Sequence, residues 1–152
     1  LRKAILFISF IFICLPVSAE ELDLTEFGKS YFAAWKATQV PNATKKDIEH
    51  YLSFLKEDIG HQHLPYVNDD SRIPTGKQNM RSGMAYYLGA HTQYSAKLNE
   101  IVPAHNVVVI KYFTKSSGVH PQTKEVVNQS YDTMEVLEIE DGKVSVIRKY
   151  SE

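Results

Sequence analysis

Cysteine is almost missing from this chain: Cys14 is the only one among 152 residues. It stands in an N-terminal stretch expected to be removed, which leaves no disulfide, no thiolate nucleophile and no cysteine-ligated zinc in the mature protein. Runs of lysine or arginine are also lacking, and the formal net charge is −1. A nucleic-acid partner is therefore not expected. No glycine-rich phosphate loop, nucleotide fingerprint or nucleophile motif occurs, so no cofactor is expected. Internal repeats, low-complexity tracts and linkers are absent too, which leaves one domain.

What is present begins with an export signal. Arg2 and Lys3 form a basic start, residues 4–15 are apolar, and Pro16-Val17-Ser18-Ala19 places small residues where a signal peptidase reads. The apolar run is far shorter than the roughly 20 residues of a membrane-spanning helix. Residues 1–19 are thus expected to be a cleaved signal peptide, and residues 20–152 a periplasmic or secreted domain with no stable membrane anchor. All 6 histidines and 9 tyrosines lie in that domain.

Its first half reads as helices. Asp23 precedes an apolar stripe of Phe27, Tyr31, Ala34 and Trp35 at helical spacing. Val40-Pro41 ends that helix, since the residue before proline avoids helical backbone. Thr44 caps a second helix with Ile48, Tyr51, Leu52 and Leu55 as its stripe, expected to fray into residues 57–60. Gly76 precedes a third, with Met80, Met84, Tyr87 and Leu88 facing the core and Gly89 as its stop.

From Gln93 onward the period changes to two. Residues 107–113 form a near-continuous apolar run, expected to be a central strand buried on both faces. Residues 130–139 and 143–150 are two strand-like runs around Asp141-Gly142, a strong hairpin signal. Glu135, Leu137 and Ile139 share one face of the first run, an acid on an otherwise apolar face. Val144, Val146, Arg148 and Tyr150 are expected to share a face of the second. Helices followed by antiparallel strands give an α+β fold.

Several segments carry a family resemblance: Tyr31-Phe32-Ala33-Ala34-Trp35, Phe54-Leu55-Lys56-Glu57-Asp58, Gly76-Lys77-Gln78-Asn79-Met80-Arg81, residues 138–144 and Arg148-Lys149-Tyr150. On these the chain resembles the NTF2-like superfamily, and more narrowly its SnoaL-like branch. The resemblance implies a cone: three N-terminal helices packed in a strongly bent, mostly antiparallel sheet, with an apolar pocket near the end of helix two. It also implies a small, largely apolar ligand. The superfamily includes ketosteroid isomerase, polyketide cyclases, limonene-epoxide hydrolase, dehydratases and non-catalytic pocket proteins. Two functions follow, an exported binding protein or a cofactor-independent isomerase, cyclase, hydratase or epoxide-hydrolase-like enzyme.

Aligned to the isomerase pattern, Tyr31 falls on the oxyanion-hole tyrosine, Glu135 on the protonated acid and His63 on the general base. A histidine thus replaces an aspartate base and a glutamate a shorter acid, so a steroid is not implied. His61, Trp35, Tyr66, Leu137 and Ile139 are the expected pocket residues. Each candidate has a plainer alternative: Tyr31 as core packing, Glu135 as a rim acid paired across strands, and, of His61 and His63, one lining the pocket while the other bonds a loop carbonyl. If Glu135 is desolvated it would hold a proton and donate; a protonated His63 beside it would make it an acceptor instead. His61 and His63, two apart on extended backbone, have the spacing of a strand-borne metal site, but no third ligand motif accompanies them and no metal is expected. The resemblance, together with Met134 and Val136 on the opposite face from Glu135, implies a homodimer through the outer face of the sheet.

Overall fold

The computed structural model describes residues 22–152, so the expected signal and its cleavage site lie outside the described residues. Eight elements follow in order: α1 (Leu24–Ala37), α2 (Lys45–Leu52), β1 (Leu55–Leu64), α3 (Gly76–Tyr87), β2 (His91–Ala104), β3 (Val107–Val119), β4 (Val126–Glu140) and β5 (Lys143–Ser151). The Asp23 carboxylate caps α1 by accepting from the Thr25 and Glu26 amides. Thr44 and Asp47 close a capping box on α2. None of the described helices is long and apolar enough to cross a membrane.

The five strands form one sheet in the order β1-β5-β4-β3-β2, and the β1–β5 pair is parallel. This corrects the expected cone. The sheet is mixed and open, with β1 and β2 as its edge strands among the described residues, and it is not strongly curled or closed. The reason lies in its centre. Strong curvature is introduced by bulges and glycine kinks, yet β3 and β4 pair without interruption from Val107↔Glu138 to Val119↔Val126. Register shifts occur only in the pairings on either side, within β2, β5 and β1.

Two further expectations change. Residues 55–60 are strand, not frayed helix: Leu55 and Ile59 are buried at a helix-like spacing, but a register shift between Leu55 and Gly60 produces it. In β3 burial alternates. Val108, Ile110, Tyr112 and Thr114 face inward, whereas Phe113 on the other face is 38% exposed.

The core lies between the inner face of the sheet and α1 and α2. It joins Phe27, Tyr31, Ile48, Tyr51 and Leu52 to Val108, Ile110, Leu137, Ile139, Val144 and Ile147. Gly28 lets α1 approach the sheet, since a Cβ there would lie 2.9 Å from a Val108 methyl. The third helix contributes less to the core than its stripe suggested: Met80 and Met84 only flank it, and Tyr87 is exposed. The β4–β5 hairpin turns on Asp141 and Gly142, both at positive φ. Just beyond it, Glu138 pairs with Val146 but Ile139 with Val144, so Ser145 is an extra residue in β5. That bulge puts Val144 on the inner face, apart from Val146 and Arg148.

Candidate functional site

The inner face of the sheet changes character along its length. At the end covered by α1 and α2 it carries Val108, Ile110, Leu137 and Ile147, all nearly inaccessible. Toward the other end the same rows continue as Tyr112, Thr114 and Ser116 on β3 and as Thr133, Tyr131 and Gln129 on β4. Glu135 sits at the change, opposite Ile110 on one side and Lys149 on the other.

Glu135 is 3% exposed and fully engaged. Tyr112 donates its hydroxyl to Oε1 at 2.6 Å, and Tyr31 donates to Oε2 at 3.2 Å. The Tyr31 and Tyr51 hydroxyls are 2.9 Å apart. Because Tyr31 spends its one proton on Glu135, Tyr51 is the donor of that pair. Burial foremost, and the Glu135 charge next, hold the phenols of Tyr31, Tyr51 and Tyr112 above their ordinary range, so they remain protonated donors. The Lys149 ammonium lies 3.7 Å from Oε1 and over the Trp35 ring, 4.9 Å from its centre. This geometry makes Glu135 an acceptor on both oxygens, with Lys149 rather than His63 as its cation.

A cavity of about 590 Å³ opens beyond this network. Trp35, Tyr94 and Tyr131 give it aromatic surfaces, and Thr114, Thr133, Gln129 and Ser151 give it polar ones. The expected apolar lining is therefore replaced by a mixed one, because the β3 and β4 rows turn polar past Glu135. Among the described residues that line it, Lys149 is the sole ammonium or guanidinium, and none is an acid. The Tyr94 hydroxyl is buried without a hydrogen-bond partner among the described residues. The Tyr94 ring stacks on His91, whose Nδ1 lies 2.7 Å from the Gln39 carbonyl oxygen.

Of the residues singled out from sequence, Trp35, His63 and Tyr66 line this cavity. Tyr66 stands at its mouth, 73% exposed. Tyr31 and Glu135 lie behind the wall, joined to each other and separated from the space by Lys149 and Trp35. Leu137 and Ile139 belong to the core between the helices and the sheet, not to the cavity. His61 and His63 share the inner face, paired with Ile147 and Lys149, with ring centres 6.2 Å apart. Burial and the nearby Lys149 lower His63 to about 4, and burial lowers His61 as well. Both rings are therefore neutral near pH 7. Among the described residues no three His, Cys, Asp or Glu side chains gather as a metal site.

Sequence reasoning missed Lys149, Tyr112 and Tyr94. Tyr112 sat unnoticed in the apolar run of β3, on the same inner row as Ile110. Lys149 could not be found by counting back from the Asp-Gly turn, because uninterrupted pairing would set Arg148 opposite Glu135. The extra residue in β5 brings Lys149 there instead.

Helices packed on the inner face of an open, mixed five-stranded sheet define an α+β protein with its cavity on that face. No family model and no curated protein matches the chain. Solved structures do. A protein assigned to the SnoaL-like polyketide cyclases from Shewanella denitrificans superposes with a TM-score of 0.66 at 7% identity, over 85% of this chain and 90% of that one. Another such protein from Shewanella putrefaciens gives 0.65 at 10% identity, over 87% and 91%. An NTF2-like protein of unknown function from Cytophaga hutchinsonii gives 0.57 at 8% identity, over 88% and 93%. Identities this low speak for fold alone. The chain has the NTF2-like, SnoaL-like fold.

Proposed function

We propose that this chain is an exported binding protein for a small molecule, held in the cavity between Trp35 and the open end of the sheet. The observation that carries the reading is the pairing of a roomy cavity with a satisfied polar network behind its wall. Such networks rigidify their surroundings, and preformed concave sites with a few fixed polar groups are where ligands bind. The mixed lining favours a planar ligand with polar substituents over a purely apolar one. Export follows from Arg2, Lys3, the apolar residues 4–15 and Ala19.

Proton-transfer catalysis is the second reading, favoured by His63, whose neutral imidazole borders the cavity. It ranks lower for a physical reason. A base lowered to about 4 is weak at neutral pH, and Lys149 opposes the imidazolium that turnover would form. Thermal-shift titration with planar bicyclic and tricyclic compounds tests the binding reading. Saturable stabilisation is expected in the wild type and loss of it in Trp35→Leu. No response to any compound, or an equal response in both proteins, would overturn it.

Self-association through the outer face is part of the same proposal. Phe113 is exposed there, with Val109, Met134 and Val136 half-buried beside it. Light scattering at micromolar concentration should give a dimer mass, which Phe113→Glu should halve. A monomer throughout would remove this element.

A further inference from the structure

We infer that the ligand is a singly charged organic acid, a carboxylate on a planar, largely aromatic body, with the carboxylate held by Lys149 and Tyr94. This deepens the small-molecule reading above and rests on it. The acceptors of the boundary network are occupied, because both Glu135 oxygens receive a phenol. Two donors of residues that line the cavity are not. Lys149 donates no hydrogen bond among the described residues; the Glu135 carboxylate beside it is 3.7 Å away. The Tyr94 hydroxyl is buried and unpartnered among the described residues. Both flank the same indole: Lys149 lies over the Trp35 ring, and the Tyr94 ring meets it edge-on at 6.2 Å.

Two donors beside one aromatic plate suit an acceptor group on a flat body. A half-buried ammonium and a buried phenolic hydroxyl each gain most from a charged acceptor. No wall residue would repel an anion at close range, since the described lining contains no acid. Valence is bounded from behind. Glu135 lies close to Lys149, so a phosphate dianion would meet a second negative charge across a single cation. A monocarboxylate meets the same Glu135 with half the charge and carries about half that cost. Trp35 and Tyr131 supply the flat surfaces for the remainder of the molecule.

The test compares 2-naphthoate with its neutral isostere 2-naphthamide on the intact domain, by calorimetry and by the Trp35 indole N–H resonance. Trp35 is the only tryptophan in the chain, so that resonance reports the cavity without assignment. The acid should bind at least about tenfold more tightly than the amide. Lys149→Met should abolish the difference while leaving amide binding in place, Lys149→Arg should preserve it, and Tyr94→Phe should reduce it. Equal affinity of acid and amide in the wild type would overturn the acid assignment while leaving the cavity reading intact. The same holds for an acid preference that survives in a folded Lys149→Met variant. Absence of binding by either compound at millimolar concentration would overturn both.

Discussion

The two halves of the sheet's inner face are built from the same strands yet do different things. In the covered half the rows are aliphatic, Val108 and Ile110 beside Leu137 and Ile147, and α1 and α2 seal them from water. In the open half the rows continue as Thr114, Ser116, Thr133 and Tyr131, and a cavity replaces the helices. Strand alternation alone would have extended the core to the end of the sheet. What stops it is the composition of each row past Glu135, and the carboxylate sits at the frontier, accepting one hydrogen bond from α1 and one from the sheet. A buried acid here closes the core with polar partners and leaves the next positions to line the cavity.

The largest expected effect comes from removing the frontier. Glu135→Leu would leave Tyr31 and Tyr112 without their acceptor and Lys149 without its counter-charge. Breaking a buried pair in this way costs about 3–5 kcal/mol, and chemical denaturation should show a loss of that order. Glu135→Gln keeps the shape and one acceptor and should lose less. A Leu variant as stable as wild type would mean the network contributes no stability. Next in size, Leu137→Ala in the covered half should cost about 3 kcal/mol through transfer and cavity formation; a loss below 1 kcal/mol by the same measurement would show that this half is not close-packed.

The pH response is smaller and falls on the open half. His63 is held below its unfolded value of 6.5, at about 4. Between those values the unfolded chain binds a proton that the folded chain refuses, so stability is lost as pH falls from about 6.5 to 4. His63 is only half-buried, so the loss is discounted to about 1–2 kcal/mol. His63→Gln should flatten that part of the stability–pH curve; an unchanged slope would assign it to other groups. Smallest of all, Thr133→Ala removes the 3.1 Å hydroxyl contact with Ser151 and should cost about 0.5–1 kcal/mol. A loss as large as that of Leu137→Ala would erase the distinction between the halves.

Much of this was legible in the sequence, and the gaps have physical causes. The capped helices, the Asp141-Gly142 hairpin and the inward face of Glu135, Leu137 and Ile139 follow from local chemistry that the fold keeps. The proximity of Tyr31 to Glu135 came from resemblance, since residues 104 apart leave no local signal of contact. Local reasoning failed where register slips. A shift in β1 made Leu55 and Ile59 look helical, and the Ser145 bulge hid the pairing of Lys149 with Glu135. The cone failed for the opposite reason: the central β3–β4 ladder has no slip to bend it. Depth along a face is also invisible to alternation. Leu137 and Ile139 were expected in the pocket because they share a face with Glu135, but they lie on its covered side.

The most direct test of the division is amide and side-chain NMR mapping of bound 2-naphthoate on the isotopically labelled domain. Shifts are expected at Trp35, Tyr94, Thr114, Tyr131 and Lys149, with Leu137, Ile139 and Ile147 unmoved. Shifts concentrated at those three core residues, or on the outer face around Phe113 and Val136, would contradict the account.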